Sequence, residues 1–208
     1  MDRDRVRPHS VAMPSRRFDR DYYRRFYEDE ATRVYADDDV DRLCSFVLAY
    51  LDRLEIDVKR VLDLGCGLGY WRDALARQRK KAKYHGVEIS EHLCETMGWE
   101  HGSVVDWRGN GAFDFVICHG VLQYLRPADA ERAIENLARH CRGALFLEVL
   151  TKRDWEENCD RRVTDGDVHL RTGNWYRRRL APHFLAAGGG LWIGRGAGVT
   201  LFELETTG

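Results

Sequence analysis

From residue 61 the chain reads Val61-Leu62-Asp63-Leu64-Gly65-Cys66-Gly67-Leu68-Gly69, an apolar segment with one acid followed by three glycines at alternate positions. Glycine permits a tight turn and lets a ligand approach the backbone where a Cβ would collide. The free amides at the start of a following helix favour an anionic group or the polar edge of a ribose. We therefore predict a strand, a ligand-binding turn and a helix; an ordinary glycine-rich turn is the alternative.

The glycine spacing distinguishes this turn from a dinucleotide site. A nicotinamide-binding turn reads G-x-G-x-x-G, and Tyr70 stands where its third glycine would be. Asp63 precedes the turn, and an acid there suits a ligand that carries a sulfonium and an amino group better than one that carries a pyrophosphate.

Apolar segments alternate with helical patterns after this turn. The segments that predict buried strands are residues 60–64, 84–88, 103–105, 113–118 and 144–149. The patterns that predict helices between them are residues 70–80, 91–97 and 127–141. Such alternation is typical of a parallel sheet with helices on both faces. Only residues 107–112 separate the third and fourth strands, too few for a full crossover helix.

The N-terminal part of the chain differs from this pattern. Residues 1–17 are polar and Arg-rich and predict a disordered arm. Residues 18–58 predict a helical cap made of two helices. The first runs near residues 19–29 with Asp19 as its N-cap, and the second near residues 39–54.

The remaining chain, residues 59–208, forms the main predicted domain. A helix near residues 175–187 precedes two strands, near 191–195 and 199–205, around a Gly-Ala-Gly turn. Two strands around such a turn predict an antiparallel hairpin. We expect an α/β fold: a Rossmann-like sheet of seven strands, five parallel and two in a C-terminal antiparallel hairpin, with helices on both faces.

Polar side chains stand at the ends of the later predicted strands. Glu88 ends the second strand about 20 residues past the turn, where an acid can accept hydrogen bonds from ribose hydroxyls. Nicotinamide-binding sites also place an acid there, so Glu88 alone does not distinguish the two ligands. Asp106 ends the third strand and His119 follows the fourth. Because open α/β sheets bind ligands at the carboxyl ends of their strands, we expect these groups to converge.

The order and spacing of these motifs resemble the class I S-adenosylmethionine-dependent methyltransferases. Residues 63–69 resemble the family's first motif, and residues 113–125, which read Phe-Asp-Phe-Val-Ile-Cys-His-Gly-Val-Leu-Gln-Tyr-Leu, resemble its fourth. The likeness covers residues 60–150 and extends to small bacterial methyltransferases with an N-terminal helical cap. It implies an enzyme whose cofactor is S-adenosylmethionine.

The resemblance also implies which residues hold that cofactor. These are Asp63, Gly65, Cys66, Gly67, Glu88, Ile89, Asp106, Trp107 and Cys118. In the family, the acid in the place of Asp106 accepts from the adenine amino group, and the next residue packs on the adenine ring. A surface aspartate is the alternative for Asp106.

Methyl transfer from a sulfonium requires the acceptor to be positioned and water to be excluded. A base is needed only when the acceptor must lose a proton. His119 is the first candidate for that catalytic role and Glu148 the second; orienting or capping roles are the alternatives. The candidates for binding the acceptor are Tyr27, Arg33, Trp155 and Trp175. Packing of the cap on the sheet is the alternative for the aromatic residues.

The composition of the 208 residues limits the partners that we expect. With 44% hydrophobic residues and a net charge of -1, the chain reads as globular and is drawn neither to nucleic acid nor to anionic membranes. It contains no apolar run of about 20 residues and no secretory apolar region, so a cytoplasmic location is expected. The six cysteines are scattered without a C-x-x-C pair, so no metal site is predicted.

Three alternatives stay open beside a methyltransferase that acts on an O or N of a small molecule. The first is a nucleic-acid (RNA) methyltransferase, which is supported by alternating Arg and Tyr over residues 16–27 and by the arginine run at 177–179. The acidic residues near the first of these segments and the absence of an N-P-P-Y motif argue against it. A donor-binding protein of the same fold without turnover is the second. A nicotinamide oxidoreductase, disfavoured by the glycine spacing, is the third. The oligomeric state also stays open.

Overall fold

A seven-stranded sheet forms the centre of the computed structural model, which describes residues 17–28 and 37–206. The strands are β1 Arg60–Leu64, β2 Lys83–Glu88, β3 Glu100–His101, β4 Phe113–His119, β5 Cys141–Glu148, β6 Phe184–Gly188 and β7 Leu191–Gly194. Their order across the sheet is β3-β2-β1-β4-β5-β7-β6. The first five strands run parallel, and β7 pairs antiparallel with both β5 and β6. The predicted fold class is therefore confirmed.

Helices cover both faces of the sheet. They are α1 Arg20–Tyr23, α2 Asp37–Arg53, α3 Tyr70–Gln78, α4 Glu91–Met97, α5 Pro127–His140, α6 Lys152–Glu157 and α7 Gly173–Leu180. One core cluster packs α5 and α7 against the sheet, and the other packs α2 and α3 against its opposite face. Alternate residues of β4 divide between the clusters, since Val116 belongs to the first and Phe115 to the second. No described helix is long and apolar enough to cross a membrane.

The third strand lies earlier than the sequence predicts. Residues 104–106 form a turn, and the strand is the two-residue β3. The Ser103 hydroxyl accepts from the amide of Val105, and its carbonyl accepts from the amide of Trp107 at 2.8 Å. These local hydrogen bonds replace the strand ladder, as serine side chains often allow.

The C-terminal hairpin is present but uses different residues. It consists of β6 and β7 around Gly189, whereas residues 199–205 contain only a short 3₁₀ turn, Glu203–Glu205. Helix α7 ends at Leu180, so residues 184–187, predicted as helix, belong to the sheet. Gly188, Gly189 and Gly190 all have positive φ, which places the turn at these three residues. Pairing with β7 thus overrides the helix propensity of Leu and Ala in this segment.

The N-terminal helix begins where the sequence predicts and then changes its winding. Asp19 is the N-cap, and its carboxylate accepts from the amide of Tyr22 at 3.0 Å. Helix α1 passes into a π-helical turn, Arg24–Glu28. We call the described residues 17–28 the cap segment. Single π-turns often occur at functional sites, and the cap segment packs over the carboxyl ends of the strands.

Candidate active site

The glycine turn after β1 is held by left-handed backbone at Gly65, Gly67 and Gly69, with φ of 87°, 53° and 82°. A Cβ on Gly65 would lie 2.4 Å from Cγ2 of Val121, so this glycine permits close packing against the loop after β4. A Cβ on Gly67 would meet no described atom within 4 Å. The backbone of Gly67 therefore borders open space that a ligand can enter.

Two adjoining cavities lie at the carboxyl ends of the strands. The smaller cavity, of about 80 Å³, is lined by Phe18, Tyr22, Tyr23, Tyr27, Gly65, Gly67, Glu88, Ile89, His119, Gly120, Val121 and Tyr124. The larger cavity, of about 440 Å³, is lined by Tyr22, Phe26, Tyr27, Gly120, Gln123, Tyr124, Glu148, Val149, Leu150, Asp154, Asn158, Cys159, Thr164 and Asp165. Because the two cavities share four of these residues, two ligands bound there would meet at Gly120.

Glu88 lies between the glycine turn and the start of α4. Its Oε2 accepts from the amide of Gly67 at 2.9 Å, and its Oε1 accepts from the amides of Ile89 at 2.8 Å and Ser90 at 2.9 Å. A carboxylate has about four acceptor positions, so these amides leave about one for a ligand hydroxyl. Burial is the main cause that raises the pKa of Glu88, and the three amides act against it.

Asp63 is buried in β1, with 1% of its surface exposed. The hydroxyl of Tyr84 donates to its Oδ2 at 2.7 Å. Burial raises the pKa of Asp63 to about 7, even though the hydrogen bond from Tyr84 and the proximity of His119 lower it. The carboxyl group therefore changes its charge near neutral pH.

His119 ends β4 with both ring nitrogens engaged. The indole N–H of Trp71 lies 3.0 Å from Nδ1, and an indole nitrogen only donates, so Nδ1 is the acceptor. Nε2 then carries the hydrogen and faces Oε1 of Glu148 at 3.3 Å. This tautomer is assigned from the hydrogen bonds. The imidazole is thus oriented by Trp71 and directs its N–H toward the carboxylate at the end of β5.

Three residues of the cap segment, Arg17, Phe18 and Tyr22, make polar contacts with the rest of the fold beside the cavities. Arg17 forms ion pairs of 3.1 Å with Asp165 and with Asp167. The Ser90 hydroxyl donates to the carbonyl of Phe18. The hydroxyls of Tyr22 and Tyr124 lie 2.8 Å apart.

Three tyrosines, Tyr22, Tyr27 and Tyr124, line both cavities. Burial is the main cause that raises the pKa of Tyr22, Tyr27 and Tyr124 above the usual tyrosine value. These phenols stay neutral at physiological pH and act through hydrogen bonds and ring faces.

The structure brings together six of the residues predicted for the site. Tyr27, Gly65, Gly67, Glu88, Ile89 and His119 line the smaller cavity. Asp63 lies in β1 just before the turn, with its side chain buried. Arg33 lies outside the described residues.

Five of the predicted cofactor residues line neither cavity: Asp63, Cys66, Asp106, Trp107 and Cys118. The thiols of Cys66 and Cys118 are buried within the fold. Asp106 is exposed, because the turn at Ser103 separates it from the end of β3. Trp107 is buried in the core, where its indole N–H donates to Glu100 at 2.7 Å and its ring packs 4.9 Å from that of His140.

The two tryptophans predicted to bind an acceptor also lie outside the cavities. Trp175 stacks with Arg179, whose guanidinium carbon lies 3.8 Å from the ring centroid, and with Arg171 at 5.0 Å. Trp155 packs beneath Arg161 at 5.4 Å. Cation–π contacts with arginines of their own surroundings thus occupy these rings.

Several cavity residues carried no predicted role. Gln123 and Tyr124 follow His119 within the fourth motif, and only their closeness to that motif could have suggested them. Asp165 is part of an acidic pair in the segment before α7. Its position at the cavity depends on Arg17, which lies 148 residues earlier in the chain.

No group of three or more His, Cys, Asp or Glu side chains suited to a metal ion occurs within residues 17–28 and 37–206.

A family model described as a methyltransferase domain matches residues 34–186, which is most of the chain. The chain belongs to this methyltransferase family. The family predicted from the motifs, and with it S-adenosylmethionine as the cofactor, is thereby confirmed. Among curated proteins, this methyltransferase is similar to trans-aconitate 2-methyltransferase from Azoarcus sp. (strain BH72), with 26% identity over 147 residues. That match covers 61% of this chain and 57% of the relative, so the chain spans little more than half of the relative's length.

Solved structures share the fold of this methyltransferase. A magnesium protoporphyrin IX methyltransferase from Synechocystis PCC 6803, with bound S-adenosylhomocysteine, matches with a TM-score of 0.60 and 21% identity, over 86% of this chain and 90% of that one. An amino pentose methyltransferase from Micromonospora echinaspora, with bound S-adenosylmethionine, matches with a TM-score of 0.55 and 15% identity, over 74% of this chain and 90% of that one. At these identities the likeness shows the fold alone.

Proposed function

We propose that this protein transfers a methyl group from S-adenosylmethionine to an O or N of a small molecule. One observation carries the proposal: the smaller cavity, at the glycine turn and Glu88, adjoins the larger cavity at Gly120. In this reading the donor binds at the smaller cavity and the acceptor in the larger one. Drug-sized ligands occupy cavities of roughly 300–1,000 Å³, a range that includes the larger cavity.

The residues of the smaller cavity fit the donor. Glu88 offers its remaining acceptor position to a ribose hydroxyl, and the open space at Gly67 lets the donor approach the backbone. Asp63 supplies a negative charge on the side of the turn where a cationic group would lie. When bound, the donor supplies a methyl group on a positively charged sulfur. At about 80 Å³ the smaller cavity requires the cap segment to move when the donor enters.

The hydrogen bonds at His119 favour Glu148 as the group that accepts a proton. Nδ1 of His119 accepts from Trp71 and Nε2 faces Glu148, so His119 holds and orients the carboxylate. Glu148 lines the larger cavity, whereas His119 lines only the smaller one. A proton lost by an acceptor hydroxyl or ammonium would pass to Glu148. His119, the first candidate from the sequence, becomes a positioning residue in this proposal.

The position of the arginine run supports a small acceptor over RNA. Arg177, Arg178 and Arg179 lie on α7, and none of them lines the smaller or the larger cavity. Arg179 is also engaged with Glu131 at 2.5 Å and with the ring of Trp175. A nucleic-acid enzyme would be expected to place such cations along a track that leads to the methyl group.

A labelling experiment tests the proposal. The protein is incubated with S-adenosylmethionine that carries a labelled methyl group, together with a bacterial small-molecule extract, total RNA or total protein in separate reactions. We expect label to enter the small-molecule fraction only, and to do so far more slowly with Glu148→Gln. Label in RNA or protein, or no transfer to any fraction, would contradict the proposed function.

A further inference from the structure

Gln123 places an unsatisfied acceptor at the larger cavity. Its side chain is 93% buried, in the 3₁₀ turn Leu122–Tyr124, and it lines the cavity. Nε2 donates to the carbonyl of Gly120 at 2.8 Å, and since a carbonyl only accepts, this bond fixes which end of the amide is nitrogen. Oε1 has no hydrogen-bond partner among the described residues. A buried acceptor without a partner is costly, so a ligand donor that reached this oxygen would stabilise the complex. Oε1 is covered by protein atoms in this structure, so such a contact requires the covering side chains to shift.

The charges around the cavity have one sign. The side chains of Glu148, Asp154 and Asp165 line it, and no Lys, Arg or His of the described ranges does so. Although burial raises the pKa of Asp154, hydrogen bonds from Thr151 and Asn158 hold it below the usual value, so this carboxylate stays charged.

The cation that pairs with Asp165 does not reverse that sign. Arg17 contacts Asp165, but it is shared with Asp167. One guanidinium therefore serves two carboxylates, and the lining as a whole is negative. An anion that entered the cavity would lose its hydration and meet like charges.

The aromatic residues of the cavity add to this preference. Tyr22, Phe26, Tyr27 and Tyr124 contribute their rings to the cavity lining, and the three tyrosines add neutral hydroxyls. Aromatic faces attract cations through the ring quadrupole, and the attraction grows where water is excluded. Aromatic rings and carboxylates that line the same cavity form an environment that suits an amine.

We propose that the larger cavity selects a neutral or cationic acceptor, an amine before an alcohol, whose N–H or O–H donates to Oε1 of Gln123, and that it rejects carboxylates. The inference rests on the proposed function and specifies its acceptor. It also separates this protein from the curated relatives named for trans-aconitate, a carboxylate.

Matched probes test the inference in the presence of saturating S-adenosylhomocysteine. Isothermal titration compares tyramine with 3-(4-hydroxyphenyl)propionate and tryptamine with indole-3-propionate, which differ mainly in the charge of one end group. Trans-aconitate is the third carboxylate. We expect each amine to bind at least 10-fold more tightly than its paired carboxylate, and trans-aconitate neither to bind nor to be methylated.

Two variants of Gln123 separate a ligand contact from a structural role. Gln123→Met and Gln123→Glu both lose the donation to Gly120, but only Gln123→Glu keeps an acceptor oxygen. We expect Gln123→Met to weaken amine binding roughly 3- to 10-fold, as loss of one hydrogen bond does, and Gln123→Glu to retain it. Equal losses in both variants would mean that Gln123 only holds Gly120 in place, which would overturn its assigned contact.

The outcomes distinguish the inference from the function on which it rests. Failure to bind S-adenosylhomocysteine at all would overturn the proposed function together with the inference. Binding of S-adenosylhomocysteine with equal or tighter binding of the carboxylates, or with no binding of either member of a pair, would overturn the inference alone. Circular dichroism and the affinity for S-adenosylhomocysteine show that each variant is folded.

Discussion

Asp63 occupies an unusual position for a carboxyl group, because it is buried in β1 with Tyr84 as its hydrogen-bond donor. Its pKa, raised to about 7 by burial, places its titration within the working range of the protein. Only the ionised form attracts a cationic donor. The charge on a single residue therefore links donor affinity to pH.

Donor affinity should fall as the pH falls from 7.5 to 5.5. Below a pKa of about 7 the ionised fraction of Asp63 decreases as the pH falls, by a factor that approaches ten for each pH unit. Donor binding that requires ionised Asp63 decreases in the same proportion. Asp63→Asn should bind the donor more weakly at pH 7.5 and show a flatter dependence. Tyr84→Phe removes a bond that lowers the pKa, so its dependence should shift to higher pH. Titration calorimetry at several pH values measures all three, and parallel slopes in wild type and Asp63→Asn would contradict this role.

Single residues also show what the sequence could and could not predict. The spacing from the glycine turn was enough to predict that Glu88 ends the second strand beside that turn. Strand and turn lengths in this kind of unit are short and regular. Asp106 and Trp107 line neither cavity, because the strand ends at His101, four residues before the predicted end, and a turn follows at residues 104–106. The local hydrogen bonds of this turn leave no periodic signal in the sequence.

The cap segment contributes lining residues to both cavities. Arg17 is one of the residues that connect the cap segment to the main domain. It forms ion pairs with Asp165 and Asp167, and its guanidinium lies 5.0 Å from the ring centroid of Tyr124. A partly exposed ion pair contributes about 0.2–1 kcal/mol and a cation–π contact about 0.5–1 kcal/mol. Together they stabilise the closed position by an amount that a kinetic experiment can detect.

Arg17→Ala should speed release of the donor. Loss of about 1 kcal/mol from the closed position corresponds to roughly a 5-fold faster dissociation, with little change in the thermal stability of the main domain. Arg24→Ala is the matched control, since within the described part of the chain the ion pair of Arg24 lies in the cap segment, with Asp21 at 3.0 Å. Stopped-flow tryptophan fluorescence measures the rates. Identical dissociation from the two variants would show that Arg17 does not hold the cap closed.

Elements with a strong local pattern agree with the sequence prediction, and those that depend on distant pairing do not. β1 and α4 match the predicted residues, and β4 differs by one residue. Residues 184–188 carry good helix formers and still pair with β7, because antiparallel pairing buries Phe184 against the sheet. Propensity alone does not register such a long-range contact.

The topology of the whole sheet determines where the site lies. The strand order reverses between β1 and β4, and ligands of open α/β sheets bind at that point, outside the carboxyl ends of the strands. The glycine turn, Glu88, His119 and Glu148 end or follow β1, β2, β4 and β5. The sequence predicts that the glycine turn, Glu88 and His119 converge at this edge, and the structure places them together. The larger cavity includes Tyr27 and Glu148, both candidates from the sequence, and its other lining residues depend on long-range contacts such as that of Arg17 with Asp165.

The most direct test is isothermal titration of S-adenosylmethionine, with NADH as a control ligand, into wild type, Gly67→Ala and Gly198→Ala. Both glycines have positive φ, 53° and 70°, and a Cβ on either meets no described atom within 4 Å, so both variants bear a similar backbone cost of about 1 kcal/mol. Only Gly67 borders the smaller cavity. We predict micromolar binding of S-adenosylmethionine to wild type and Gly198→Ala, binding at least 10-fold weaker to Gly67→Ala, and none of NADH. Wild-type affinity in Gly67→Ala, or binding of NADH in place of the methyl donor, would contradict the assignment of the donor site.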